Sequence, residues 1–74
     1  MSRDTDNIIR MAEVRKRSGL GKSTIYRRMA EGTFPQSVPL SMDAKGVVTA
    51  VGWYETDVNA WVADPVGWRP GEAA

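Results

Sequence analysis

Cysteine and histidine are both absent from this chain of 74 residues. Without cysteine there is no disulfide framework and no thiolate metal site. Without histidine, the usual general base at neutral pH and the commonest transition-metal ligand are also missing. Carboxylates alone can hold Mg²⁺ or Ca²⁺, but no acidic cluster has a suitable spacing. The expectation is a protein with no cofactor, no metal and no enzymatic activity. Long apolar runs are lacking too, and none approaches the roughly 18 residues needed to span a bilayer. The polar opening from Met1 to Asn7 has no apolar segment of the kind a secretory signal requires, so a cytoplasmic protein with no membrane partner is expected. A chain this short folds as one domain and buries only about 60% of its unfolded surface. So small a core leaves no room for a small-molecule substrate.

What is present is charge, unevenly placed. The net charge is +1, yet residues 1–32 carry eight Lys/Arg against four acids (+4), and residues 33–74 carry two against five (−3). A basic half joined to an acidic half suits a one-sided binder of a polyanion. A randomly mixed soluble surface is the plainer alternative.

Residues 1–7 are polar and read as a flexible N-terminal tail. From Ile8 or Ile9 to Ser18 the pattern predicts a short helix, with Met11, Val14 and Ser18 on one side. Arg15, Lys16 and Arg17 crowd its last turn, where cations favour the negative end of the helix dipole, and Gly19 follows as a natural terminator. Leu20 plugs the core from the turn. A second helix runs from about Lys22 to Glu31 and ends at Gly32. At 100° per residue, Ile25 and Met29 share its inner face, Ser23, Arg27 and Ala30 point away, and Thr24 and Tyr26 flank the exposed side. Two short helices joined by a tight turn make a helix–turn–helix, a shape that places its second helix in the major groove of DNA.

Phe34, the single phenylalanine, closes the core, and Pro35 bars further helix. Residues 37–41 alternate as a short edge strand, which tolerates Pro39. Residues 42–46 hold turn chemistry, and 47–53 return as a β-branched partner strand. The result is a hairpin, or wing, with an exposed tip at 43–46. Residues 54–63 read as a third helix with acids in its first turn and with Val58, Trp61 and Val62 on its inner face. Residues 64–74 read as a flexible C-terminal tail in which Trp68 is free to dock.

One motif misleads. Gly19-Leu20-Gly21-Lys22-Ser23-Thr24 imitates the end of a phosphate-binding P-loop, but the position five before Gly21 is Lys16 rather than glycine. No buried strand precedes it, and no second strand offers a Mg²⁺-holding acid. The helix–turn–helix explains the same residues better. Gly21 is an acceptable N-cap, and Lys22, Ser23 and Thr24 fill the first turn, where free N–H groups, hydroxyls and an ammonium can grip phosphates and reach base edges. Arg27 points outward, and arginine chelates the O6/N7 edge of guanine. Arg28 sits nearer the core, within reach of a phosphate or of an acid on the third helix. Two readings stand for Tyr26: its hydroxyl touches the DNA backbone, or the residue is simply core.

The chain resembles the AlpA-type prophage regulators, which are close in fold to MerR-type winged helix–turn–helix domains and to phage excisionases. The resemblance rests on Ile9-Arg10-Met11 with Glu13-Val14, Gly19-Leu20, Ser23-Thr24-Ile25-Tyr26-Arg27 and Gly32 with Phe34-Pro35. Val38 with Leu40, Trp53, and Asp57-Val58 with Ala60-Trp61 extend it to roughly residues 8–63. Gly21 stands where the family usually has Ser and Ser37 where Pro is common. The wing tip is longer, with Lys45 as its one cation.

The resemblance implies a mainly α winged helix–turn–helix over 8–63 that binds double-stranded DNA in a sequence-specific way, with Ser23, Thr24, Tyr26 and Arg27 reading it. Lys22, Arg28 and Lys45 complete the expected contact set. The role is that of a transcription regulator or of an excisionase that bends DNA for an integrase. A protein-interaction adaptor with an acidic partner is the rival from another class. Because one module grips few base pairs, a homodimer or cooperative self-association on DNA is expected. Four to six cationic contacts correspond to a slope of log K against log salt of about −4 to −5.

Overall fold

A computed structural model describes residues 5–70. Residues 1–4 and 71–74, parts of the two expected tails, lie outside the described residues. Three helices surround a small antiparallel sheet in the order β1 (Ile8–Ile9), α1 (Met11–Ser18), α2 (Lys22–Glu31), β2 (Val38–Met42), β3 (Val48–Tyr54), α3 (Glu55–Ala63). The three strands lie in the order β1-β3-β2, so β2, with Pro39, is an edge as expected.

The chain start differs from the sequence reading. Ile8 and Ile9 are not the first turn of a helix; they pair with Tyr54 and Trp53 as a third strand. The physical reason is distance along the chain. A two-residue strand has no periodicity to read, and its partner lies some 45 residues downstream. β-branched side chains suit that partner's pleat better than a helical turn. The close approach of β1 also explains Gly52: a Cβ there would collide with Ile8 Cγ2 and sit 3.0 Å from the Ile9 carbonyl oxygen.

The core is Val14 from α1, Ile25 from α2, Phe34, Trp53 from β3, and Val58 and Trp61 from α3, all buried. Met11, Leu20 and Met29 pack against it as the sequence pattern anticipates. Val62 departs from the pattern and is 40% exposed, because α3 packs on α1 and β3 through Val58 and Trp61 and that contact stops short of it.

Two indoles fix where α2 leaves off. Trp61 Nε1–H donates to the Thr33 carbonyl at 2.8 Å, and Trp53 Nε1–H donates to the Pro35 carbonyl at 3.0 Å. Between them Phe34 meets Trp61 with ring centroids 4.9 Å apart and planes tilted by 60°, a favourable aromatic arrangement. Gly32 turns the chain at φ 79°, a left-handed conformation open to glycine, and the Gly32 and Thr33 N–H groups cap carbonyls of Met29 and Arg28. The second helix is therefore anchored at its C-terminal end.

A polar clasp joins α1 to α3. Arg17 bridges Glu13 at 2.8 Å and Glu55 at 3.0 Å and donates to Asn59, while Asn7 donates to Glu55. Asp6 accepts from the Thr56 hydroxyl at 2.6 Å. Beyond α3 the chain turns back through Asp64, and Trp68 docks against the core.

Hydrogen bonding by Arg17 holds the Glu13 carboxyl below its ordinary value of 4.5, and hydrogen bonding by Asn7 and then Arg17 does the same for Glu55. A carboxyl depressed by folding adds stability that is fully present above its unfolded value and is lost as pH falls through the folded one. The melting temperature should thus hold steady from pH 7 down to about 5 and then decline through the carboxylate range. Arg17→Gln should melt lower at pH 7 and show a shallower decline. Thermal melts of both proteins between pH 7 and 3 check this, and parallel curves would refute it.

Candidate nucleic-acid interface

The outward side of α2 follows from its inner side. Ile25 is fully buried, which leaves Lys22, Ser23, Tyr26, Arg27 and Ala30 exposed and Thr24 half-buried. Tyr26 is 42% exposed, so it is not core. The first helical hydrogen bond of α2 runs from Ile25 N–H to the Gly21 carbonyl, and Gly21 supplies no side-chain cap. Helical geometry therefore leaves the N–H groups of Lys22, Ser23 and Thr24 at an uncapped positive end.

Arg28 differs from the rest of the expected set. Its guanidinium lies 5.9 Å over the Trp61 ring, and its Nε is buried without a hydrogen-bond partner. It reaches α3 as the sequence suggested, but it meets an aromatic face there rather than an acid, so much of it serves the platform.

Lys45 is exposed at the wing tip. Asp43 organises that tip: its carboxylate accepts the N–H of Lys45 at 2.8 Å and of Val47 at 3.0 Å, and its carbonyl accepts Gly46 N–H. The acid beside Lys45 is thereby directed into the turn.

Between α2 and the wing strand lies an open cleft. Arg10 and Ala12 form one side, Lys22 and Tyr26 another, and residues 48–51 of β3 the third. Arg10 was absent from the contact set drawn from the sequence. The signal that places it is the pairing of Ile8 and Ile9 with β3, which sets the next residue beside α2 in an extended conformation (φ −97°, ψ 172°).

Among the described residues, Arg10, Arg15, Lys16, Lys22, Arg27 and Lys45 have no carboxylate within 4.0 Å; the acids near α1 are taken up by Arg17. A helix with an uncapped N-terminal end, outward hydroxyls and guanidinium, and nearby cations that have no carboxylate partner among the described residues presents a positively charged surface.

A helix–turn–helix followed by a β-hairpin and a third helix defines a winged helix–turn–helix protein. The family described as "Prophage CP4-57 regulatory protein (AlpA)" matches residues 7–66, and the chain belongs to that family of phage regulatory proteins. It is 34% identical over 64 residues to a protein of Enterobacteria phage P4 named "Uncharacterized protein ORF88", covering 86% of this chain and 66% of that one. The chain thus spans about two thirds of that relative's length. No solved structure matches it.

Proposed function

We propose that the protein is a sequence-specific binder of double-stranded DNA that acts as a prophage-type transcription regulator. The observation that carries the reading is the outward presentation of Ser23 and Arg27 on a helix whose opposite side, at Ile25, is sealed in the core. Family membership supports it. In this reading α2 enters the major groove, Arg27 reads a guanine edge, and Ser23, Thr24 and Tyr26 contact base edges and backbone. Lys22 grips phosphate at the helix N-terminus, Arg28 braces the helix on α3, and Lys45 carries the wing towards the adjacent backbone. The protein works in the cytoplasm, without a metal or an active site, and two or more copies bind neighbouring half-sites to extend the sequence read.

Selection of bound duplexes from a random pool by the purified protein tests the reading. A recurring motif with defined half-site spacing is expected. Indifference to every duplex at 50 mM salt would overturn the proposal. Circular-permutation bending assays on the selected site, together with whether an integrase gene lies nearby, then separate a promoter regulator from an excisionase that bends DNA for an integrase.

A further inference from the structure

The sheet has two sides, and the core covers one of them. Trp53 is buried and Val51 packs against the core, so that side belongs to the helices. Gly52 lies between these two, and the pleat turns it to the opposite side. There Ile8 of β1 and Leu40 of β2 close over it from both neighbouring strands: a Cβ on Gly52 would collide with Ile8 Cγ2 and sit 3.1 Å from Leu40 Cδ1. Register places Tyr54, the partner of Ile8, and Val38, the partner of Gly52, on the same side. None of these side chains is charged. Ile8 is 39% and Leu40 41% exposed, and Met42, Val47 and Val48, at 57%, 58% and 43%, continue the exposed apolar surface towards the wing tip.

We propose that this outer face docks a second copy of the chain, sheet against sheet across a two-fold axis, when two copies occupy one duplex. The inference rests on the DNA-binding reading and names the surface through which neighbouring copies meet. Edge-to-edge pairing through β2 is disfavoured, since Pro39 has no N–H and two register shifts interrupt the strand. Face-to-face packing needs only apolar shape, and a two-fold sets the patch against its own copy with no charge to bury. An axis running along the strands leaves both wing tips and both α2 helices turned towards the same duplex. The two α2 helices then meet inverted half-sites.

Area decides between a permanent subunit and a second copy held on DNA. A fully open apolar side chain of this size presents about 60–120 Å². At their observed exposures Ile8, Leu40, Met42, Val47 and Val48 leave roughly 150–300 Å² per copy, or about 300–600 Å² for a pair. Even doubled by a polar rim, that does not exceed the lower end of the about 1,200–2,000 Å² of a stable interface. The patch is too small to hold two chains together free in solution. It suffices once one duplex holds both copies, because tethering raises their effective concentration to about the millimolar range.

The test compares duplexes carrying one selected half-site and two inverted half-sites, titrated by fluorescence anisotropy with wild type and Leu40→Thr. Threonine keeps the strand propensity, and circular dichroism confirms each fold. Wild type should bind the second half-site about tenfold or more tighter than the first, and Leu40→Thr should bring that factor near one with single-site affinity unchanged. Because the chain has no cysteine, Leu40→Cys places a lone thiol beside the axis, and Val66→Cys, 88% exposed beyond α3, is the control. A short bismaleimide should cross-link Leu40→Cys on the two-site duplex and not on the single-site one, and should leave Val66→Cys uncoupled on both. Selected sites made of direct repeats, undiminished cooperativity in Leu40→Thr, or no cross-link in Leu40→Cys would overturn the proposal. The face would then belong to a different protein, and the DNA-binding reading would stand. If the wild type binds no duplex at all, both fall together.

Discussion

Trp53→Ala is expected to leave the chain largely unfolded at 25 °C. Trp53 is the largest fully buried side chain, and it joins the centre of the sheet to the exit of α2 through its bond to the Pro35 carbonyl. Truncating a buried tryptophan costs about 3–5 kcal/mol in lost burial and residual cavity. Stranding the buried Pro35 carbonyl adds about 1–3 kcal/mol. A domain of this size holds roughly 4–11 kcal/mol in total, so the loss is comparable with everything available. Where the variant still folds, each 1 kcal/mol should lower the melting temperature by about 4–8 °C, so a fall of 20 °C or more is expected. Trp53→Phe, which keeps one aromatic ring but loses the pyrrole half of the indole together with its hydrogen bond, should fall in between. Urea titrations followed by circular dichroism measure both, and a Trp53→Ala midpoint close to wild type would show that the sheet does not depend on this contact.

The second large effect is on binding. Arg27→Ala should weaken binding to the selected site by about 1–3 kcal/mol, a loss of roughly five- to 150-fold, and should relax the choice of base at one position. Its stability should hardly change, because Arg27 is exposed and the described residues place no ion-pair partner beside it. Lys22→Ala provides the contrast. As a phosphate contact at the start of α2 it should weaken every duplex alike and flatten the salt dependence by about one unit. Competition titrations with the selected site and single-base variants distinguish the two patterns. Wild-type affinity and selectivity in Arg27→Ala would remove this residue from the reading of bases.

The stability and binding effects come from opposite sides of one short helix. Ile25 and Arg27 are two residues apart, yet one is fully buried and the other exposed. The indole bonds to Thr33 and Pro35 hold the end of that helix in place, and the Gly32 turn satisfies its last carbonyls. A reading surface needs its side chains fixed relative to one another, and here the fixing is done by tryptophans on the far side of the core. Loss of Trp53 should therefore abolish DNA binding as well as folding, whereas loss of Arg27 should weaken recognition and leave the fold intact.

Much of the fold could be read directly from local sequence. Gly19 and Gly32 mark the ends of the first two helices, and the spacing of Val14, Leu20, Ile25 and Phe34 orders their inner sides. Pro35 and the β-branched run after Gly46 announce the change to strand. These signals are local: capping, turn formation and helical periodicity act within three or four residues, so the chain displays them without reference to its distant parts. The outward placement of Ser23 and Arg27 is legible for the same reason, since it is the complement of Ile25.

What the tertiary structure alone decided involves residues far apart in the chain. Ile8 and Ile9 became a strand because Trp53 and Tyr54 offered an open edge, and that pairing carried Arg10 into the cleft beside Lys22. Helical spacing already separates the faces of Arg15, Lys16 and Arg17, but the ion pair that ties Arg17 to α3 comes from Glu55, nearly forty residues downstream. Val62 matches the helical pattern and is nonetheless exposed, because burial depends on what lies opposite as well as on spacing. Periodicity determines which side of an element is apolar. Which sides meet, and which charges remain unpaired at the surface, is settled only when elements forty residues apart come into contact.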